Sequence, residues 1–233
     1  AISADDVAPV EEVGNGRLNL AGAVASTATD FVQPAGAGAL GEGGPIVEPY
    51  VAAACVWVGN TSTAWENTAN WSGCTGVGGL PSAADNLSIG STTFAPTISA
   101  STGTAFVRDL TIAAGATLTQ TGGTLEVWHD WKNSGTFTGT GGTVQFRANA
   151  GGGAFYTTGS QFYDVVVDAA VDPGFDGTSG NQVQIAHDFV NNSTTMGAGN
   201  AGTVVFNGTG AQSVYSAKVG TAATFGNLTV NKP

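Results

Sequence analysis

"HDWKNSGTFTGTGGTVQF", residues 129–146, has a second copy in "HDFVNNSTTMGAGNAGTVVF", residues 187–206, and this repetition decides the fold. Both copies consist of short runs rich in β-branched and aromatic residues, separated by Gly, Asn or Ser, which is the pattern of strands joined by turns. From about residue 84 onwards, no stretch carries the periodicity of an amphipathic helix. The sequence therefore predicts an all-β body.

A shorter motif repeats in the same region. "VRDLTI" (107–112), "FYDVVV" (162–167) and "FGNLTV" (225–230) each place Asp or Asn before three strand residues, and "DNLSI" (85–89) is a partial copy. The three full copies start 55 and 63 residues apart. Repeated units of short strands bury their apolar faces on one another, so we expect a β-solenoid or stacked β-sheet built from units of about 60 residues. The alternative is a β-sandwich with duplicated hairpins.

The composition excludes several classes of function. Only 10% of the 233 residues are charged, and acids outnumber bases 17 to 6. Without a basic cluster, neither nucleic-acid binding nor docking on an anionic membrane is expected. No apolar run has the length of a membrane span. Few lysines and arginines beside abundant Gly, Thr, Ser and Asn favour an exported, extracellular protein.

The chain divides into three segments by character. Residues 1–54 are rich in Pro, Gly and acids, and we interpret them as an extended N-terminal arm or linker. Residues 55–105 form a Trp-rich module, and residues 106–233 form the β-repeat body.

The Trp-rich module opens with "VWVGNTSTAWENTANWSGC", residues 56–74. Cys55 and Cys74 bracket it, and we expect them to form a disulfide worth about 3 kcal/mol, the alternative being two free buried thiols. The three tryptophans have two interpretations, a cap over the first layer of the repeats or a platform for sugar rings. They are Trp57, Trp65 and Trp71.

Both histidines stand in a repeated His-Asp dipeptide, His129-Asp130 and His187-Asp188. Stacked in a solenoid, the two pairs would form a ladder able to bind a metal. The favoured interpretation is a strand-edge turn in which each imidazole bonds to its own aspartate. The equivalent positions Asp109, Asp164 and Asn227 predict a second, structural ladder of hydrogen-bonding side chains.

A loop of three acids, "DAAVDPGFDGTSGN" (168–181), is a candidate calcium site. Asp168, Asp172 and Asp176 would bind calcium there, although their spacing differs from that of an EF-hand, and a solvated turn is the default. No Gly-x-Ser-x-Gly elbow, metal-binding His cluster or phosphate loop occurs. We therefore expect a non-enzymatic protein.

Glycosylation would help to explain a surface with few charges. Asn-x-Ser/Thr sequons are frequent, although several arise by chance in such a composition, and O-linked sugar is an equal alternative. The acceptor positions are Asn60, Asn70, Asn86, Asn191, Asn192, Asn207 and Asn227.

Two resemblances to known families rest on these stretches. Residues 1–25, "ADD…GNGRLNLAGAV", resemble the closing segment of a subtilisin-like serine protease domain, and the stretch after them is similar to the linker behind such domains in large secreted bacterial proteins. The protease's catalytic motifs are absent from this sequence, so its activity does not carry over. Residues 56–89 resemble a module that opens the β-rich repeats of bacterial surface proteins. The shared features are Trp-x-Gly, Ser-Thr-x-Trp, Asn-Trp, Pro81 and Asp85.

The second resemblance spans residues 56–231 and implies an extracellular architecture at the bacterial cell surface without a defined activity. We expect a structural or adhesive subunit that forms homopolymeric fibres, in which the apolar runs of the N-terminal arm add to an open strand edge of another copy. The alternatives are a disordered linker in place of the arm, a carbohydrate-binding module that contacts surface glycans, and an accessory region released from a larger subtilisin-like protease.

Overall fold

The computed structural model describes residues 54–147, 155–156, 159–169, 171, 182–193, 203–216 and 227–232. All of them belong to one compact unit, Ala52–Pro233. Within them there is no α-helix, only three turns of 3-10 helix at Thr68–Asn70, Val77–Gly79 and Ala100–Thr102. The prediction of an all-β body is confirmed, whereas the arm proposed for residues 1–54 lies outside the described residues except for Ala54.

Seventeen short strands make up this unit. In chain order they are β1 (Cys55–Trp57), β2 (Trp71–Ser72), β3 (Asn86–Ile89), β4 (Thr97–Ile98), β5 (Thr104–Val107), β6 (Asp109–Ile112), β7 (Thr117–Val127), β8 (Trp131–Asn133), β9 (Thr136–Phe146), β10 (Phe155–Tyr156), β11 (Ser160–Phe162), β12 (Asp164–Val167), β13 (Gln182–Ile185), β14 (Phe189–Asn191), β15 (Thr203–Phe206), β16 (Val214–Ser216) and β17 (Asn227–Val230).

The strands form two sheets. One has the order β10-β8-β6-β3-β1-β2, and the other has eleven strands, with β16-β14-β12-β9-β11-β13-β15-β17 as its main path and β7 joining β4 and β5 to β9. Every pair is parallel except β1 with β2. In each parallel pair, the chain returns in the same direction one turn later, which is the arrangement of a β-solenoid. The fold is a β-solenoid of about five turns, as the repeats predict.

The eleven-stranded sheet is bent into two faces at its long strands. The first half of β7 pairs with β4 and its second half with β5, and β9 divides in the same way between β11 and β12. Paired glycines stand at each bend. Gly142 has φ +84°, and a Cβ atom there would lie 2.5 Å from the Gly123 carbonyl oxygen, so only glycine fits.

One turn of the solenoid, a rung, is shorter than the sequence repeat. Hydrogen bonds between neighbouring rungs join residues 21 or 24 apart, as between Asp109 and Asp130 and between Asp164 and Asp188. The repeat of about 60 residues therefore spans more than two rungs. As a result its two copies occupy different faces, with β8 in the six-stranded sheet and β14 in the eleven-stranded one.

Alternating side chains fill the interior. In β6 the burial alternates so that Leu110 and Ile112 point inward, and the same alternation recurs in β3, β5, β12 and β13. Trp131, Phe137 and Phe162 pack together at the centre, with ring centroids 4.9–5.3 Å apart. Inward positions of successive rungs thus form one continuous apolar core.

The first rung begins inside residues 55–105, the predicted Trp-rich module. β3, β4 and β5 pair in parallel with the strands of the next rung. Below them, β1 pairs with β3, and Ala64 forms a single bridge to Thr97. The solenoid has three faces, one formed by the six-stranded sheet and two by the bent eleven-stranded sheet. The module therefore adds a partial rung that pairs with the first rung on two of these faces.

Candidate functional site

The three tryptophans of the opening module lie inside it. Trp57, Trp65 and Trp71 are 1%, 2% and 7% exposed, and Trp71 meets each of the other two rings edge to face at 4.7 Å. The Trp57 indole donates a hydrogen bond to the Phe94 carbonyl oxygen, and the Trp71 indole to that of Trp65, both at 2.7 Å. A sugar platform needs exposed, coplanar rings, so this arrangement is that of a cap.

Two buried polar side chains, Asn70 and Asp85, stabilise the loops of the cap that do not form strands. Asn70 is fully buried: its Oδ1 accepts the N–H groups of Thr61 and Ser62, and its Nδ2 donates to Ser62 Oγ and the Ala64 carbonyl. Because these bonds satisfy loop groups that have no strand partner, Asn70 is a structural residue.

Asp85 has the same role on the other side of the cap. Its buried carboxylate accepts the N–H of Thr75 and both the N–H and the hydroxyl of Ser82, at 2.8–3.2 Å. This network fixes the turn between Pro81 and Asp85. Sequence reasoning noted that turn but did not find Asn70 and Asp85 as anchors, since a buried Asn or Asp has no signature in a chain so rich in polar residues.

A disulfide joins Cys55 and Cys74, as predicted. Cys55 is buried in β1, and Cys74 lies just after β2, so the bond ties together the two strands that close the six-stranded sheet. No cysteine remains free.

Glu66 links the cap to the first rung. Its two carboxylate oxygens accept the hydroxyls of Ser101 at 2.7 Å and Thr102 at 3.0 Å. The bond from Ser101, a bond to the backbone of Glu66 itself and the bond from Thr102 lower the pKa of this carboxyl against the opposing effect of partial burial. Beside it, a cavity of about 300 Å³ lies between the cap and β5, and its lining includes Leu80, Pro81 and Phe106.

Each histidine stands at a corner of the solenoid. His129 Nδ1 lies 2.6 Å from Asp109 Oδ1 and 3.2 Å from Asp130 Oδ1, and Asp109 Oδ1 also accepts the N–H of Asp130. Asp109 begins β6, whereas the His-Asp pair precedes β8 in the next rung. The aspartate therefore joins two successive rungs.

The second corner repeats this geometry. His187 Nδ1 lies 2.6 Å from Asp164 Oδ1 and 3.8 Å from Asp188 Oδ2, and Asp164 Oδ1 accepts the N–H of Asp188. The Tyr163 ring stacks on the imidazole, with centroids 4.8 Å apart and an interplanar angle of 12°. The hydrogen bond to Asp164 raises the pKa of His187, and the negative charges of Asp164 and Asp188 add to this shift against partial desolvation.

The two His-Asp dipeptides do not stack on each other, contrary to the ladder considered for them. Each histidine bonds most closely to the aspartate at the start of the preceding rung's strand, Asp109 or Asp164, rather than to its own sequence neighbour. The signal was present in the sequence, because Asp109 and Asp164 were identified as equivalent positions. The pairing across rungs does not follow from the repeat alone, because one sequence repeat of about 60 residues spans more than two rungs.

The proposed calcium loop is described only at its start. Asp168 Oδ1 accepts a bond from Gln145 Nε2 at 2.7 Å, and Oδ2 accepts one from Arg147 Nη1 at 3.0 Å. Its carboxylate thus already has an amide and a cation as partners. Asp172 and Asp176 lie outside the described residues.

The sequons fall into three groups. Asn70 and Asn191 are completely buried, which is incompatible with a glycan on the folded protein. Asn192 and Asn207 are half-buried, and the remaining acceptors, Asn60, Asn86 and Asn227, are exposed.

Apolar side chains are exposed on the last strands of the solenoid. Val214, Leu228 and Val230 are 55%, 53% and 65% exposed. They are in register with Phe189, Val204 and Phe206, which are 1–3% exposed in the preceding rung. These three residues, called the open rung below, are therefore core positions over which the described part of the chain places no further strand.

The fold defines a capped β-solenoid, and comparisons with known proteins add one match. Residues 56–157 match the model of a domain of unknown function (DUF8693), which covers the cap and the first three rungs. No curated protein and no solved structure matches the chain. Among the described residues, no helix is long and apolar enough to cross a membrane.

Proposed function

We propose that this chain is a non-enzymatic, extracellular structural protein of the bacterial surface, whose solenoids join end to end into fibres. The observation that carries this proposal is the open rung. Three apolar side chains at core positions face water, and strands β16 and β17 each have one edge without a partner among the described strands. Edges of this kind pair with added strands unless they are covered.

The covering strand in this proposal comes from residues 1–54 of a second copy. That segment carries the apolar runs "RLNLAGAV" (17–24) and "PIVEPYVAAA" (45–54), the second of which leads into β1. An extended segment added to β16 or β17 satisfies backbone groups of both chains and buries the open rung. Such contacts are heterologous, and when they do not close into a ring they produce a filament.

Other features support an extracellular location. The disulfide suits an oxidising compartment, and a surface built from Gly, Thr, Ser and Asn with few charges suits a protein that packs against copies of itself. The carbohydrate-binding alternative receives no support from Trp57, Trp65 and Trp71, because their rings are buried.

Deletion of residues 1–50 tests the proposal, since it leaves Cys55 and the whole described solenoid in place. We expect the full chain to form filaments in negative-stain electron microscopy and to sediment as a polymer. The deletion variant should remain monomeric with an unchanged β-type circular dichroism spectrum. A deletion variant that forms the same filaments, or a full chain that stays monomeric at high concentration, contradicts the proposal.

A further inference from the structure

The two histidine corners have the same geometry but different charge. At the first corner, Arg108 Nη1 lies 3.4 Å from Asp109 Oδ2, and Lys132 Nζ lies 2.6 Å from Asp130 Oδ2. Two carboxylates therefore face two permanent cations. The charges of these four side chains balance one another.

The second corner lacks this compensation. Among the described side chains, neither lysine nor arginine forms an ion pair with Asp164 or Asp188, whose charged partner is His187 alone. One oxygen of Asp188 accepts the N–H of Ser213 at 2.8 Å. Two carboxylates thus share a single titratable base, and the corner attracts cations.

Three donor atoms converge there. One ligand atom from each of Asp164, His187 and Asp188 lies within 4.8 Å of the others. Zn²⁺ binds imidazole nitrogen and carboxylate oxygen at about 2.0–2.2 Å. His187 Nδ1 is 2.6 Å from Asp164 Oδ1 and 3.8 Å from Asp188 Oδ2, so small side-chain rotations bring all three atoms to one ion.

The surroundings suit a bound ion. The side chains of Asp164, His187 and Asp188 are 27%, 37% and 37% exposed, which leaves an open side for water ligands. The stacked Tyr163 ring holds the imidazole plane in position, as groups around a metal ligand do. An ion would take the place of the proton between His187 Nδ1 and Asp164 Oδ1.

We propose that Asp164, His187 and Asp188 bind one divalent first-row transition-metal cation, and that the matching corner of Asp109, His129 and Asp130 does not. An imidazole in the ligand set favours Zn²⁺ and its neighbours over Ca²⁺ and Mg²⁺. Because Asp164 starts β12 and Asp188 precedes β14, the ion would connect two successive rungs. This site is independent of fibre formation.

Nuclear magnetic resonance of the two histidine rings tests this directly in the full chain carrying Leu228→Asp, a substitution at the exposed open rung that is expected to prevent filaments from broadening the signals. The chain has only two histidines, so one His129→Gln spectrum assigns both. On addition of one equivalent of Zn²⁺ to metal-free protein, we expect the ring signals of His187 to shift or broaden and those of His129 to stay in place. Unchanged signals of both rings, or equal changes in both, overturn the proposal.

Isothermal titration calorimetry gives the matched comparison. We expect His187→Gln and Asp188→Asn to weaken Zn²⁺ binding by roughly tenfold or more, and the controls His129→Gln and Asp130→Asn to leave it unchanged. Asp188→Asn keeps an acceptor oxygen for Ser213, so it tests the site even where His187→Gln disturbs folding. Zn²⁺ binding retained in the folded Asp188→Asn variant, or Ca²⁺ binding as tight as that of Zn²⁺, contradicts the assignment.

Discussion

The first and the last described layers of the solenoid differ in how their core positions are covered. At one end the core positions are covered by Trp57, Trp65 and Trp71, none of which is more than 7% exposed. At the other end, Leu228 and Val230 occupy core positions and are more than half exposed. Inward-pointing residues are therefore not buried by their strand alone. They are buried only when another layer lies on the strand, which makes each end of a solenoid a separate structural feature.

These two layers also differ in how their backbone N–H and C=O groups find hydrogen-bond partners. In the cap, Asn70 and Asp85 satisfy the loop groups that lack strand partners. At β16 and β17, the backbone groups of the outer edge face away from the sheet with no strand beside them in the described part of the chain. The cap therefore closes its end with side chains, whereas the other end is suited to backbone pairing.

The largest expected difference between the ends concerns truncation of an apolar side chain. Trp57→Ala removes a buried ring and its bond to the Phe94 carbonyl, and we expect a loss of roughly 3–5 kcal/mol in the free energy of unfolding. Val214→Ala at the open rung should cost less than about 1 kcal/mol, because that side chain is already half in water. Urea denaturation followed by circular dichroism measures the unfolding free energy of both variants. Equal losses of stability in Trp57→Ala and Val214→Ala would contradict the difference in burial between these two positions.

The disulfide should have the next largest effect. A Cys55→Ser and Cys74→Ser double variant frees the closing strands of the cap, and we expect it to lower the unfolding free energy by about 2–4 kcal/mol. Reduction of the wild-type protein should produce a similar loss in the same denaturation experiment. If neither treatment changes the denaturation midpoint, the cap is held by its tryptophans and polar anchors without the crosslink.

The sequence predicted the repetitive parts of this molecule well, for a physical reason. Alternation of apolar and polar residues in "DLTI" (109–112) indicates which side of a strand is buried, and the recurrence of the same motif as "DVVV" (164–167) indicates stacking, so the repeats predicted the solenoid. The disulfide between Cys55 and Cys74 was likewise predicted correctly, because a chain with only two cysteines leaves one partner for each.

Rung length and side-chain pairing were harder to predict. Pairing of Asp109 with His129 depends on how many residues the corner between two strands contains, and Gly-rich turns conceal that number. The burial of Asn70 was also beyond reach, because nothing in "NTANWS" (67–72) distinguishes a side chain that bonds loop backbone from one that faces water. Both failures concern polar groups, whose partners are set by tertiary geometry rather than by local pattern.

The open rung gives a third prediction, with a small effect on stability and a large one on assembly. Leu228→Asp places a charge where we propose that a strand of another copy packs. We expect it to prevent filament formation while changing the unfolding free energy by less than about 1 kcal/mol, since Leu228 is already exposed. Val77→Asp is the matched control, because Val77 is 95% exposed on the cap. Filaments in Leu228→Asp, or their loss in Val77→Asp, would contradict the assignment of the open rung as the assembly surface.

The smallest expected effect concerns the pH dependence of the cap through Glu66. Since hydrogen bonds from Ser101 and Thr102 lower the pKa of this carboxyl in the folded protein, the folded state releases its proton more readily than the unfolded chain does. Its contribution to stability is therefore fully present above the unfolded pKa of about 4.5 and is lost as the pH falls through the lower folded value. Glu66→Gln should accordingly lower the thermal midpoint slightly at pH 7, and the difference from wild type should shrink as the pH falls below 4.5. Differential scanning calorimetry of both proteins over a series of pH values measures this gap. A gap that stays constant would mean that Glu66 supports the cap by shape alone, and a gap that widens in acid would contradict the direction of the shift.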